Sequence, residues 1–140
     1  MLTEKLKGTT WSLVTYQSED KNGKINYPLG EDALGYIIFT EENILAVQLM
    51  AADRTQVVPK EVLEKMNTVV EKEMKELGYH AYSGSFSVNE ETSVLTTNVE
   101  MSVISTYVGS KQKRKAEIKE DKLYLSNIEH PERKLVWQKV

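Results

Sequence analysis

Few side chains in this 140-residue sequence stand where they could hold or change another molecule, and Arg114 leads them. The stretch from Lys111 to Lys119, KQKRKAEIK, carries five cations in nine residues. Side chains of a strand alternate between its two faces. Lys111, Lys113, Lys115, Glu117 and Lys119 therefore share one side, and Gln112, Arg114, Ala116 and Ile118 share the other. The lysines read as a solvated ladder. Arg114 falls on the apolar side, where an unpaired charge is costly. A carboxylate, water or an anionic ligand has to meet it. If the chain reverses near residue 106, Asn98 lies across from Arg114 and Glu100 across from Gln112. The apolar phase Val99, Met101, Val103 would instead turn Glu100 outward. A structural ion pair and a ligand-directed arginine both remain open.

Three further positions are candidates, each with a plainer structural alternative. Gln48 interrupts the apolar run ILAVQLMA and needs hydrogen-bond partners, from the protein or from a ligand. Arg54, next to Asp53, would fix a loop or place a charge at a cavity mouth. Tyr82 shares a face with Gly84 and Phe86, and the glycine there suits a tight bend or a ligand that needs room. Catalytic signatures are thin. His80 and His130 are the only histidines, neither has a partner at metal-ligand spacing, and YSGSFS is not a nucleophile elbow. We therefore expect no metal and no cofactor.

Short strands between turn signals carry these residues. TTWSLVTYQ alternates Trp11, Leu13, Thr15 against Ser12, Val14, Tyr16, and Asn22-Gly23 marks a hairpin. LGYIIFT and ILAVQLMA follow, the second apolar on both faces and expected to be covered on both. Between Pro59 and Leu77 the period changes. Leu63, Met66, Val69 or Val70, Met74 and Leu77 form a helical stripe, with Gly78 placed to end it. Strands resume from Tyr79 to Val140. Meandering strands with one amphipathic helix over about 59–77 predict a mainly β fold, an antiparallel up-and-down barrel. The length suits a single domain over 1–140.

Composition narrows the function classes. The formal net charge of −3 argues against a nucleic-acid partner despite the lysines. With no cysteine there is no disulfide framework, thiolate metal site or cysteine nucleophile. No segment approaches ~20 apolar residues, and MLTEKLKGTT lacks the apolar run of a signal peptide, so we expect a cytoplasmic protein with no membrane partner.

Read in order, TTWSLVTYQ, YPLGEDALGYIIFT, AVQLMAADR, YHAYSGSFSV, YVGSKQKR and LVWQK resemble the bacterial lipocalin-like domain family. YPLGEDALGYIIFT followed by VQLMAADR is the specific part. Thr9 stands where lipocalins open with glycine, and Thr97-Asn98 where a histidine would be expected. The resemblance implies a calyx-shaped barrel and a tryptophan, Trp11, packed on a cation, with Arg133 or Lys134 as its source. Trp137 is expected as core or barrel lining. The leading function is binding of a small hydrophobic or amphipathic molecule, acidic ones included, in the barrel, with Gln48, Arg54, Tyr82 and Arg114 as the candidate binding residues. A cofactor-free isomerase or cyclase using the same cavity, or an interaction module with a filled barrel, are the alternatives.

Overall fold

The computed structural model describes residues 1–55, 58–64, 66 and 68–140. Helix α1 (Leu2–Leu6) leads into β1 (Thr9–Glu19), which turns through Asn22-Gly23 into the two-residue β2 (Ile25–Asn26). Then come β3 (Leu34–Phe39), β4 (Ile44–Met50), helices α2 (Lys60–Glu64) and α3 (Val69–Leu77), and β5 (Tyr79–Asn89). The last strands are β6 (Val94–Ser102), β7 (Lys111–Lys119), β8 (Lys122–Asn127) and β9 (Arg133–Lys139), with a 3-10 turn at Ser105–Tyr107. All pairings are antiparallel and follow the order β2-β1-β3-β4-β5-β6-β7-β8-β9, and β1 also pairs with β9. The result is a closed eight-stranded antiparallel barrel of mainly β class, with β2 as a short flap on β1. Closure leaves no long unpaired strand edge. Among the described residues no helix is long and apolar enough to cross a membrane.

Period-two alternation explains which residues fill the barrel. In β4, Leu45, Val47 and Leu49 point in and are buried, while Ile44 and Gln48 are exposed. The expectation that β4 is covered on both faces is therefore corrected: its outer face is open. One end of the barrel is packed by Leu6, Trp11, Phe39, Phe86 and Leu123, with Phe39 and Phe86 in edge-to-face contact at 5.2 Å. Trp11 Nε1 donates to Thr9 Oγ1 at 2.8 Å, so threonine at this position gives the buried indole its partner. The cation over Trp11 is Lys139, 6.0 Å from the ring centroid and across from it in the β1–β9 register, not Arg133 or Lys134.

Two bulges break the alternation. The β1–β9 register shifts between Leu13 and Thr15, which leaves Val14 as an extra residue. After it the inward phase changes, so Tyr16 and not Thr15 enters the barrel. The β5–β6 register shifts between Ser83 and Gly84, opposite Glu100. Beyond that point Met101 and Val103 face out, against the apolar phase read from the sequence. Gly84 sits at this crossing because a Cβ there would lie 1.8 Å from the Asn98 carbonyl oxygen. Its role is close backbone approach and not room for a ligand.

The single helix expected over 59–77 is two. Thr68 has extended backbone (φ −131, ψ 155), and its hydroxyl accepts from Glu71 N at 3.1 Å, which starts a new helix. Residues 65 and 67 of the expected helix lie outside the described residues. Gly78 ends α3 in the left-handed region at φ 63, as its place after the stripe suggested. Met74 is the buried residue of α3, and the helix lies over the end of the barrel opposite Trp11.

Candidate functional site

The inward face of β7 carries Gln112, Arg114, Ala116 and Ile118, while Lys111, Lys113, Lys115 and Lys119 are exposed. Arg114 thus enters the barrel near its α3 end. Neighbouring strands add His80 and Tyr82 from β5, Thr97 from β6, Asn127 from β8, Arg133 and Trp137 from β9, and Tyr16 from beyond the β1 bulge. Tyr107 reaches in from the 3-10 turn. With Ile37, Leu45, Val47, Leu49, Leu95, Leu125 and Leu135 these side chains line an inner cavity of about 70 Å³. That is several times the ~10–15 Å³ one water requires.

Among the described residues Arg114 has neutral partners only. Its Nη1 donates to Lys113 O at 3.0 Å, and its Nη2 to Tyr107 Oη at 3.3 Å and Gln112 Oε1 at 3.4 Å. No carboxylate among the described residues lies within 4.0 Å of its nitrogens. The expected pairing with the end of β6 is corrected: Leu95 is opposite Arg114, and Asn98 is opposite Lys111. Glu100, exposed on its bulge, accepts from Ser85 N at 3.0 Å and takes no part in the cavity. Burial opposes the arginine's charge, but the surrounding phenols of Tyr82, Tyr107 and Tyr16 outweigh it and raise its pKa.

Three aromatic rings form a cluster beside the guanidinium. His80 lies 5.4 Å from Tyr82 and 4.8 Å from Tyr107, the latter edge-on, and the two tyrosines are 5.3 Å apart. Burial pulls the His80 pKa down to about 4, assisted by the positive charge of Arg114. Burial also raises the Tyr82 phenol and pushes Tyr16 up to about 12. At neutral pH the site therefore holds the Arg114 cation, a neutral imidazole at His80 and un-ionised phenols at Tyr16 and Tyr82, with the Glu71–Arg133 ion pair at its edge.

A larger outer cavity of about 710 Å³ opens above the inner one, lined by Ser18, Asn26, Tyr27, Pro28, Val62, Met66 and Lys75 among others. The two share Tyr16, Glu71, Met74 and Arg133 as their partition. Within it Glu71 of α3 and Arg133 of β9 form an ion pair, with side chains 23% and 18% exposed. Lys75 ties α3 to the loop after β2 through Pro28 O at 3.1 Å. The helix is thus held to the barrel mouth from two sides.

Of the four candidates named from the sequence, the fold brings Arg114 and Tyr82 together and leaves the others outside. Gln48 is exposed on the outer face of β4, because the apolar phase Leu45, Val47, Leu49 takes the inside. Arg54 is exposed on a separate surface cleft, where its Nε donates to Leu77 O at 3.1 Å and its guanidinium lies over Tyr79 at 5.3 Å. It finishes α3 and does not face the barrel mouth. Sequence reasoning missed His80, Tyr107, Tyr16 and the Glu71–Arg133 pair. His80 was legible in principle, since it shares a strand face with Tyr82.

A family model described as a lipocalin-like domain matches residues 8–140. No curated protein and no solved structure matches the chain.

Proposed function

The chain belongs to the lipocalin-like domain family, and on that premise we propose that its barrel binds a small molecule with an acid group and an apolar body. The observation that carries this is Arg114, a guanidinium turned into an apolar-walled cavity with only neutral partners among the described residues. A charge so placed gains from an anion, because a charge-assisted hydrogen bond is about twice as strong as a neutral one. The inner cavity is too small for a whole ligand of ordinary size, which takes ~300–1,000 Å³. The acid group sits inside on Arg114 and Tyr107, and the apolar body extends past Met74 into the outer cavity beside Val62 and Met66. The two cavities also argue against an interaction module with a filled barrel.

The test compares the protein with Arg114→Met in a thermal-shift screen of fatty and aromatic acids and their uncharged amides. Without ligand the variant should be as stable as the parent or slightly more so, since no carboxylate loses its partner. At free acid 100-fold above its dissociation constant, the parent should gain ~2.7 kcal/mol and the variant far less. A large destabilisation by the substitution, with no acid stabilising either protein, would make Arg114 a structural residue and end this reading.

A further inference from the structure

His80 and Trp137 both line the inner cavity, and each carries a buried polar group that the described residues leave unanswered. Neither His80 ring nitrogen, nor Trp137 Nε1, has a hydrogen-bond partner among the described residues. The two residues are 6% and 1% exposed. Buried polar atoms are partnered in the great majority of cases, so three such atoms on two side chains that line one cavity are a pattern that a ligand can complete. The rings of Tyr82 and Tyr107 pack against His80 without hydrogen-bonding to it. Burial keeps the imidazole neutral, with one nitrogen a donor and the other an acceptor.

That acceptor nitrogen discriminates between ligands. A carboxylate held by Arg114 can only accept, and so can a ketone or an ether. A hydroxyl both donates and accepts. Resting on the acid-binding reading above, we propose that the ligand is a hydroxylated carboxylic acid. Its carboxylate is held by Arg114 and its hydroxyl donates to the unprotonated nitrogen of His80. Trp137 Nε1–H is a further donor toward an oxygen of the same molecule.

The test is calorimetric titration of the protein with octanoate and 3-phenylpropanoate. Each is compared with its monohydroxy and mono-oxo isomers, the oxygen being walked along the chain. At least one hydroxy isomer should bind about tenfold or more tightly than its parent acid, as expected where a buried group would otherwise stay unsatisfied. Its oxo counterpart should gain less, and His80→Phe should abolish the preference of hydroxy acid over parent acid. Should the variant not fold, the unaltered protein still decides. The 15N shifts of the His80 ring should move with the preferred hydroxy acid and stay near their ligand-free values with the parent acid. If parent acids bind and no hydroxy isomer gains, or the gain survives in His80→Phe, or the oxo acid gains as much, the hydroxyl assignment is overturned while acid binding stands. If none of these acids binds, the acid-binding reading falls and takes this inference with it.

Discussion

Replacing His80 with phenylalanine isolates the titration of the imidazole that lines the inner cavity. The unfolded chain protonates this ring near its ordinary pKa of 6.5, whereas the folded barrel holds it down to about 4. Between those values the unfolded state binds a proton that the folded state refuses, so stability falls as pH drops through the window. At 1.36 kcal/mol per pKa unit, His80 should cost the fold ~1 kcal/mol between pH 7 and 5.5 and ~3 kcal/mol by pH 4. Tyr82 and Tyr107 pack on the ring, and the charge that acts on it is that of Arg114. Carboxylates titrate over part of the same window, so the informative quantity is the difference between parent and variant. Urea denaturation at pH 7, 5.5 and 4 should show His80→Phe losing less stability toward acid by these amounts. At pH 7 the variant should match or exceed the parent, because phenylalanine keeps the ring contacts and removes two unpartnered nitrogens. Arg114→Met should raise the His80 pKa in an NMR titration, since the arginine's charge is its second cause. Parallel pH profiles for parent and His80→Phe, or a His80 pKa near 6.5 in the folded protein, would mean that burial does not hold the imidazole neutral.

Gly84→Ala should be among the most damaging small substitutions, since its Cβ would meet backbone and not a movable side chain; denaturation should show a loss at or above the top of the ~1–3 kcal/mol range for overpacking. Glu71→Gln removes the half-buried partner of Arg133, and a loss of ~1–3 kcal/mol in urea is expected, between the values for exposed and buried pairs. No change in stability would mean that the ion pair does not hold α3 to the barrel.

Strand alternation made much of this fold legible, and the places where it misled have a common cause. The lysine ladder and the inward turn of Arg114 followed from period two alone, as did Tyr82. Tyr16 was assigned to the wrong face because nothing in TTWSLVTYQ marks Val14 as the extra residue of a bulge. The bulge at Glu100 misdirected Met101 in the same way. Gln48 was ambiguous because Ile44, Ala46 and Met50 make the outer phase of β4 nearly as apolar as the inner one. Helical periodicity ran through Thr68, where capping by a hydroxyl competed with helix continuation and won. Tyr107 lies in a turn, where periodicity has no meaning, and its place beside Arg114 depends on tertiary packing.

The pairing of β1 with both β3 and β9 sets an order of events during synthesis. Translation proceeds at ~5–20 residues per second, and β1 meets β3 early. Its other edge has no partner until residues 133–139 leave the ribosome. Until then the nascent sheet is an open ribbon that exposes the side chains destined for the cavity, together with the free edge of β1. Such edges recruit other strands, so chaperone dependence should be greatest for chains truncated just short of β9. Closing a loop this long also makes the final pairing slow relative to the local hairpins.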